Sequence, residues 1–242
     1  MIDYTKASKT YDNTRDSSDL ILNIMNNKGV FEKNNNILDF GCGTGNYLKR
    51  ISEKFICSCY GIEPSSGMRE KAIEKNPNLT IVEGNHEKLP FKNSFFDFIY
   101  MTDVIHHVSD LNSLFNNLYK KLNQNGLVCI VTESWTQIEN RWYNKYFPTL
   151  SKNEKNRYPD IEKIIGHAVE NRLKFDSLEI KKNPKENEIT EHFIRLVEEK
   201  KYSMFRILDA YEYKNGLNNL KKDKGKIIIT NDAGESLIWL KK

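Results

Sequence analysis

Extended apolar runs alternate with helix-like segments between residues 17 and 125, and this alternation constrains the fold more than any other feature of the sequence. The strand-like runs are NILDF (36–40), CSCYGIE (57–63), LTIVEG (79–84), FFDFIYM (95–101) and GLVCIVTE (126–133). The helix-like segments are DSSDLILNIMNN (16–27), NYLKRISEKF (46–55), SGMREKAIEKN (66–76) and LNSLFNNLYKKL (111–122). This order is typical of βαβ units, in which helices cover both faces of a mainly parallel sheet. We therefore predict an α/β fold.

The sequence changes character after Glu133, where it becomes aromatic, polar and largely helical. We predict a helical elaboration over residues 134–205 that includes one sheet strand at 173–182. Open α/β sheets bind ligands at the carboxyl ends of their strands, so we expect the elaboration to lie over that edge.

Residues 188–208 and 210–222 have a helical pattern, and residues 225–242 contain two predicted strands around an NDAG turn. The sequence shows no internal repeat and no long linker, which favours a single domain over residues 1–242. Its predicted parts are an N-terminal segment with a helix (1–30), a cofactor-binding core (35–132), the elaboration (134–205) and a C-terminal helix with strands (206–242).

The net charge and the cysteine spacing indicate which binding partners and which cellular compartment to expect. Lys and Arg total 37 against 33 Asp and Glu, and a formal net charge of +4 does not by itself indicate a nucleic-acid partner. The four cysteines form no pair with the two-residue spacing of zinc or thioredoxin-type sites, so we interpret them as reduced thiols. The first ten residues lack the pattern of an export signal, and no stretch approaches the ~18 apolar residues of a membrane helix. We expect a cytoplasmic protein without a membrane segment.

The stretch ILDFGCGTGN (37–46) places three glycines at alternate positions between a predicted strand and a predicted helix. Gly41, Gly43 and Gly45 would permit positive φ and let a ligand lie against bare backbone near the amides of the helix N-terminus. Cofactor binding is the prediction. Dinucleotide enzymes and phosphate-binding loops also use such a turn, so the glycines alone do not identify the cofactor.

Four details bear on these possibilities. The dinucleotide fingerprint needs glycine where this chain has Asn46, and the phosphate loop needs a Lys that this turn lacks. Asp39, inside the first strand, requires a polar partner such as a ligand ammonium group or bound water. Glu63 ends the second strand, about where an acid accepts hydrogen bonds from a ribose diol.

Four motifs in order carry a resemblance to a known family. They are ILDFGCGTG (37–45), YGIEPSSGM (60–68), VEGNHEKLPF (82–91) and FFDFIYMTDVIHHV (95–108). Together they resemble the class I S-adenosylmethionine-dependent methyltransferases, especially the broad group that contains the ubiquinone and menaquinone biosynthesis enzymes. The match covers roughly residues 35–132. It implies a Rossmann-like sheet of seven strands and S-adenosylmethionine as the cofactor.

The resemblance also implies a set of cofactor-binding residues. The methionine part of the cofactor would lie against Asp39, Gly41, Cys42, Gly43 and Gly45. Glu63 would bind the ribose, while Pro64, Ser65, Met68, Asn85 and the backbone of His86 would surround the adenine. Thr102 and His107 would lie near the sulfonium, and Tyr11 would close over the cofactor. The family usually has Asp where this chain has Asn85, and Asn keeps the acceptor oxygen that the adenine amino group requires.

Methyl transfer is an in-line displacement that depends mainly on positioning the acceptor and excluding water. No metal is required, and a base is needed only for a hydroxyl, phenol or acidic carbon acceptor. His107 is the first candidate for such a base and Glu133, at the end of the fifth strand, is the second.

The predicted acceptor is a small molecule, bound by a monomer or homodimer. Six aromatic residues of the elaboration would form either the acceptor pocket or the small hydrophobic core of the elaboration, and the sequence leaves both possibilities open. These residues are Trp135, Trp142, Tyr143, Tyr146, Phe147 and Tyr158. An RNA-directed methyltransferase is one alternative, disfavoured because no NPPY-type run follows the fourth strand and no proline precedes a cysteine. The others are an NAD-dependent oxidoreductase, disfavoured by Asn46, and a non-catalytic regulator that binds S-adenosylmethionine.

Overall fold

The computed structural model describes residues 17–182, 185–230 and 234–242 of the chain. The first part of the fold consists of α1 (Asp19–Asn27), β1 (Asn36–Phe40), α2 (Asn46–Lys54), β2 (Ser58–Ile62), α3 (Ser66–Lys75), β3 (Thr80–Val82), β4 (Phe96–Thr102), a 3₁₀ turn (Ile105–His107), α4 (Leu111–Lys121) and β5 (Leu122–Thr132). Tyr11 and most of the predicted N-terminal segment lie outside the described residues.

The second part is richer in short helices. It consists of α5 (Trp135–Glu139), a 3₁₀ turn (Trp142–Lys145), α6 (Leu150–Lys155), α7 (Ile161–Glu170), β6 (Lys174–Lys182), β7 (Lys185–Glu188), α8 (Glu191–Glu198), a 3₁₀ turn (Ser203–Arg206), α9 (Ala210–Lys222), β8 (Ile227–Thr230) and β9 (Gly234–Lys241). No helix in the described ranges is both long enough and apolar enough to cross a bilayer.

A seven-stranded sheet with the order β3-β2-β1-β4-β5-β9-β6 forms the centre of the fold. Strands β1 to β5 are parallel, and β9 runs antiparallel to both of its neighbours. Because β1 pairs with β2 on one side and β4 on the other, the strand order reverses at β1. This point is the switch point at which open α/β sheets bind ligands. The predicted α/β, mainly parallel, seven-stranded fold is confirmed.

Helices cover both faces of the sheet. On one face, α4 and α7 bury apolar side chains that include Leu114, Phe115 and Ile164. On the other face, α1 and α2 pack residues such as Met25 and Leu48 against the sheet. A third apolar cluster joins the elaboration to α9 and includes Phe147, Phe205 and Leu220. Both faces of the sheet are therefore covered, and the carboxyl ends of its strands are the positions left to hold a ligand.

The structure differs from the sequence prediction near the C-terminal end. The two strands predicted around the NDAG turn both form, but β8 pairs with β7 in a separate sheet while β9 enters the main sheet. Residues 231–233 of the turn lie outside the described residues. Strand β7 was not predicted because its sequence, KENE, has no apolar residue to reveal an alternation.

The continuous helix predicted over 188–208 is also wrong. Helix α8 ends after Glu198, and the chain resumes as a 3₁₀ turn at 203–206. Lys200 adopts a left-handed conformation (φ +48°), and the N–H of Lys201 donates to the carbonyl oxygen of Leu196. Such a C-terminal closure stops a helix, here without the glycine that would have made the stop visible in the sequence.

Candidate functional site

A cavity of about 560 Å³ lies at the carboxyl ends of the central strands. Residues in or after β1, β4 and β5 line it, namely Asp39, Gly41, Cys42, Gly43, Thr44, Thr102, Asp103, Val131 and Glu133. Helices α1 and α2 and strand β9 contribute Ser18, Asn46, Tyr47 and Glu235. The elaboration contributes Arg141, Trp142, Tyr143, Tyr158, Phe193, Tyr202 and Met204. The cavity therefore lies at the switch point, with the elaboration as its opposite wall.

The glycine turn after β1 adopts a backbone conformation that residues with a Cβ atom would not readily adopt. Gly41 and Gly45 have φ values of +76° and +78°. A Cβ atom at Gly41 would lie 2.8 Å from the methyl groups of Val104, and one at Gly45 would lie 2.5 Å from Nδ2 of Asn76. Both positions therefore require glycine for reasons of packing as well as backbone conformation.

The amides of this turn are used within the protein. The N–H groups of Gly41 and Cys42 both donate to the carbonyl oxygen of Ile62 at 2.9 Å, and that of Gly45 donates to Cys42. The expectation that free amides would face a ligand is not met at these positions. The turn instead offers a surface without side chains, fixed against the end of β2.

Glu63 connects the glycine turn to the end of β2. One carboxylate oxygen accepts the N–H of Gly43 at 3.0 Å, and the other accepts the N–H of Ser65 at 2.9 Å. The Glu63 side chain is 8% exposed, and burial raises its pKa. Since each oxygen has a second lone pair, this carboxylate can still accept hydrogen bonds from a ligand beside the turn.

Asp39 is buried beneath the cavity floor, with 2% of its surface exposed. Burial raises the pKa of Asp39 to about 7, and the charge of Glu63 acts in the same direction. The Tyr100 hydroxyl faces Asp39 and opposes this rise, although it lies outside hydrogen-bond geometry with any described group. Asp39 therefore titrates near neutral pH and would gain a charge partner from a cationic ligand.

Several residues predicted for the cofactor do not line the cavity: Gly45, Glu63, Pro64, Ser65, Met68, Asn85 and His86. Met68 is buried in α3, and Ser65 is the residue before that helix begins. Oδ1 of Asn85 accepts the N–H groups of Glu87 and Lys88 at 2.9 and 3.0 Å. Both lone pairs of that oxygen are thus occupied within the loop, which leaves the Asn85 amide N–H₂ to face a ligand.

The two residues predicted as bases are placed differently. His107 is exposed on the 3₁₀ turn after β4 and does not line the cavity. Its neighbour His106 stacks on Tyr158, with ring centroids 4.1 Å apart. Glu133 does line the cavity, but both of its oxygens accept N–H groups from Arg141. Neither residue is positioned as a free base at the cavity surface.

Arg141 is the centre of a buried ion network that the sequence did not reveal. It is 8% exposed, and besides Glu133 it donates to Glu154 at 3.1 Å. Arg157 donates to the other oxygen of Glu154 at 2.5 Å. The negative charges of two carboxylates are thus balanced by the positive charges of two guanidinium groups in the wall between β5 and the elaboration.

The aromatic group of the elaboration serves both of the purposes that the sequence left open. Trp142, Tyr143 and Tyr158 line the cavity, whereas Tyr146 and Phe147 are buried in the core of the elaboration. Trp135 is 41% exposed and donates its indole N–H to the Tyr158 carbonyl oxygen at 2.9 Å.

Sequence analysis missed several cavity residues. Those from the far part of the chain, Phe193, Tyr202, Met204 and Glu235, are brought to the cavity only by the tertiary fold. Asp103 carried a usable signal, because it directly follows the carboxyl end of β4, where ligand-binding side chains gather.

A glycine turn at the switch point and an acid that closes the second strand are typical of Rossmann-like sites for nucleoside-containing cofactors. Residues 38–130 match the model of a family described as a methyltransferase domain. This match agrees with the family that the four motifs predicted, and the surrounding α/β fold is shared with solved methyltransferase structures.

Relatives and solved structures agree with this assignment. An uncharacterised methyltransferase of Anoxybacillus flavithermus is 45% identical over 82 residues, which cover 34% of this chain and 38% of that protein. A candidate methyltransferase from an antibiotic biosynthesis pathway of Anabaena variabilis superimposes with a TM-score of 0.77 and 21% identity, covering 93% of this chain and 98% of that one. Phosphoethanolamine N-methyltransferase 2 of Haemonchus contortus, solved with S-adenosylmethionine, gives a TM-score of 0.60 and 18% identity over 98% of this chain and 56% of that one. The chain spans 26 to 38% of the length of three curated relatives that it matches.

Proposed function

We propose that this protein is an S-adenosylmethionine-dependent methyltransferase that acts on a small molecule. The cavity is the observation that carries the proposal. One wall is the glycine turn within the matched domain, and the facing wall is the aromatic surface of the elaboration. Its volume of about 560 Å³ lies within the roughly 300–1,000 Å³ range of ligand pockets. A cofactor and a small acceptor can therefore meet between the two walls.

The cofactor's methionine part is proposed to lie on the turn from Gly41 to Gly45, with Cys42 and Thr102 beside it and Asp39 below. Its ammonium group would complement the Asp39 carboxylate. Glu63 would accept the ribose hydroxyls through the lone pairs that Gly43 and Ser65 leave open. The cofactor supplies an activated methyl group when it is bound.

The adenine is proposed to lie beside α3, where the resemblance places Pro64, Ser65 and Met68. Asn85 and His86 would stand at its edge. Because Oδ1 of Asn85 is held by two backbone amides, Asn85 would donate to an adenine ring nitrogen rather than accept from the amino group. Closure by Tyr11 stays a prediction.

The chain's own contribution to methyl transfer is alignment and exclusion of water. The elaboration covers the cavity with buried or half-buried aromatic side chains, including Tyr143 and Tyr158. Alignment of the acceptor with the methyl group can supply several kcal/mol of the barrier reduction. Since Glu133 is committed to Arg141, the geometry favours an acceptor that reacts through its own lone pair.

The proposal is tested first by cofactor binding. Calorimetric titration with S-adenosylhomocysteine should give a 1:1 complex, and Gly43→Arg should abolish it because the new side chain would fill the turn. Titration with NADH is the matched control. Binding of NADH without binding of S-adenosylhomocysteine would instead favour the oxidoreductase.

Activity is tested by incubating the protein with methyl-labelled S-adenosylmethionine and a metabolite extract. Labelled small products are expected from the wild type and not from Gly43→Arg. Transfer of label to added RNA alone would overturn the assignment of a small acceptor. Cofactor binding without any transfer would support a non-catalytic regulator.

A further inference from the structure

Two cysteines lie side by side at the amino-terminal end of β2, opposite the end that carries Glu63. Cys57 directly precedes the strand and Cys59 lies within it, and both side chains pack on the sheet face that α1 and α2 cover. Ser58 between them is exposed, as the alternation of a strand requires. The Sγ atoms of the two free thiols are 3.7 Å apart. The thiols are therefore already in contact, at a position that the proposed methyl transfer does not use.

The two thiols differ in their accessibility. Cys57 is half-buried, whereas Cys59 is 5% exposed. The hydrogen bond between the thiols lowers the pKa of Cys57, and the same contact together with burial raises the pKa of Cys59. The thiolate is the reactive form of cysteine, and oxidation follows thiolate character and exposure. Cys57 is therefore the more reactive of the two thiols.

The other cysteines do not combine these properties. Cys129 is fully buried in β5, and Cys42 is 9% exposed in the glycine turn. Burial raises the pKa of both thiols. Buried cysteines with raised pKa values are inert, so Cys42 and Cys129 provide internal controls.

The backbone allows the two sulfur atoms of the pair to approach each other. A disulfide bond has a length of about 2.05 Å, so the Sγ atoms would have to move closer. The pairing of β2 with β1 begins at Ser58, opposite Asn36, so a movement of Cys57 leaves the strand pairing in place. Alternate Cα atoms of an extended strand are about 6.6 Å apart, close to the upper limit of disulfide geometry.

Such a bond would contribute little to stability. Only Ser58 lies between the two cysteines, so the closed loop is too short for a large entropic stabilisation. Disulfides near the limit of their geometry are also more easily reduced. The pair is therefore suited to reversible oxidation and not to permanent cross-linking.

We propose that Cys57 and Cys59 form a thiol pair that hydrogen peroxide oxidises reversibly to a disulfide. The Cys57 thiolate attacks one peroxide oxygen, a sulfur–oxygen bond forms as the oxygen–oxygen bond breaks, and the departing hydroxide takes up a proton. The Cys59 sulfur then attacks the Cys57 sulfur, and the hydroxyl group leaves as water with the Cys59 proton. Both thiols are oxidised and one peroxide is reduced to water. Glutathione reverses the reaction by thiol–disulfide exchange.

The proposal is tested by treating the reduced protein with equimolar hydrogen peroxide and alkylating the remaining thiols with N-ethylmaleimide in urea. The tryptic peptide 55–69 contains both cysteines of the pair. Mass spectrometry should show that this peptide carries a disulfide and no alkyl group, while the peptides with Cys42 and Cys129 stay alkylated. Glutathione should restore alkylation of peptide 55–69. Alkylation of both its cysteines after peroxide treatment, or a disulfide between two chains in place of the internal bond, would overturn the proposal.

Two variants separate the roles of the thiols. Cys59→Ala removes the second thiol, so peroxide should leave Cys57 as a sulfenic acid that dimedone traps. Cys57→Ser should leave Cys59 reduced and fully alkylated after the same treatment. Oxidation of Cys59 in Cys57→Ser to the extent seen in the wild type would overturn the assignment of Cys57 as the attacking thiol. The measured quantity is the oxidation state of the thiols, so the result is independent of whether the protein binds S-adenosylhomocysteine.

Discussion

The N–H of Gly43 donates to a carboxylate oxygen of Glu63 at 3.0 Å and so joins the turn after β1 to the end of β2. This contact sets the shape of the turn before any ligand arrives. A residue proposed to bind the ribose therefore also holds the surface on which the rest of the cofactor would lie. Stability and cofactor affinity should depend on the same carboxylate.

Glu63→Gln should weaken both properties. The amide nitrogen that replaces one oxygen cannot accept a hydrogen bond, so the N–H of Gly43 or Ser65 loses its partner, at a cost of about 1–3 kcal/mol in the free energy of unfolding. Calorimetry should show that affinity for S-adenosylhomocysteine falls at least ~10-fold. Glu83→Gln is the control, since that exposed side chain pairs with Arg69. Unchanged affinity in folded Glu63→Gln would remove Glu63 from the site.

Asp39 should make stability depend on pH. Its pKa is raised from 3.8 to about 7, so between these values the folded protein holds a proton that the unfolded chain releases. The free energy of unfolding should therefore fall as pH rises from 4 to 7 and level off above, by up to about 4 kcal/mol for this group. Urea unfolding of Asp39→Asn should show a smaller slope and a higher stability at pH 8. Parallel pH profiles for the two proteins would show that Asp39 is not the group responsible.

Removal of Arg141 should be far more damaging than removal of an exposed lysine. Arg141→Met leaves Glu133 without its partner and deprives Glu154 of one, at an expected cost of about 3–5 kcal/mol. Lys155→Met removes the exposed pair with Glu139 and should cost less than about 1 kcal/mol. Chemical denaturation of both variants measures the contrast. Similar losses would mean that the buried network is not a major source of stability.

Two helical glycines should respond in opposite ways to alanine. A Cβ atom at Gly166 in α7 would meet no other atom within 4 Å, so Gly166→Ala should raise the free energy of unfolding by about 0.5–1 kcal/mol. A Cβ atom at Gly216 in α9 would lie 2.5 Å from the Tyr146 carbonyl oxygen and would also clash with the Phe147 ring. Gly216→Ala should therefore cost about 1–3 kcal/mol. Thermal unfolding that shifts both variants in the same direction would contradict this packing.

The matched domain could be predicted from sequence because its signals are local. The matched domain contains the strand with Asp39, the glycines that follow it and Glu63, all within about 30 residues of sequence. Each of these features is specified by a short stretch of the chain. The loop at Asn85 also carried a local signal, since an Asn side chain commonly accepts backbone amides two residues ahead. The resemblance instead implied that this oxygen faces the adenine amino group, whereas the structure pairs it with the N–H groups of Glu87 and Lys88.

The acceptor side of the cavity could not be predicted in this way. Arg141 meets Glu154, and Phe193 meets Trp142, only after separate helices of the elaboration pack together. Polar strand β7 and the left-handed stop at Lys200 show no pattern in the sequence. The residues proposed to select an acceptor therefore depend on tertiary contacts, whereas those proposed to bind the cofactor depend on short motifs.

The position of β9 between β5 and β6 has a consequence for biosynthesis. Strands β1 to β5 leave the ribosome first, and until β9 follows, the edge of β5 around Val128 and Ile130 has no partner on that side. An unpaired apolar edge is a site of aggregation in nascent chains. Until the segment between β5 and β9 has been translated, this edge of the nascent sheet is therefore open to pairing with other chains.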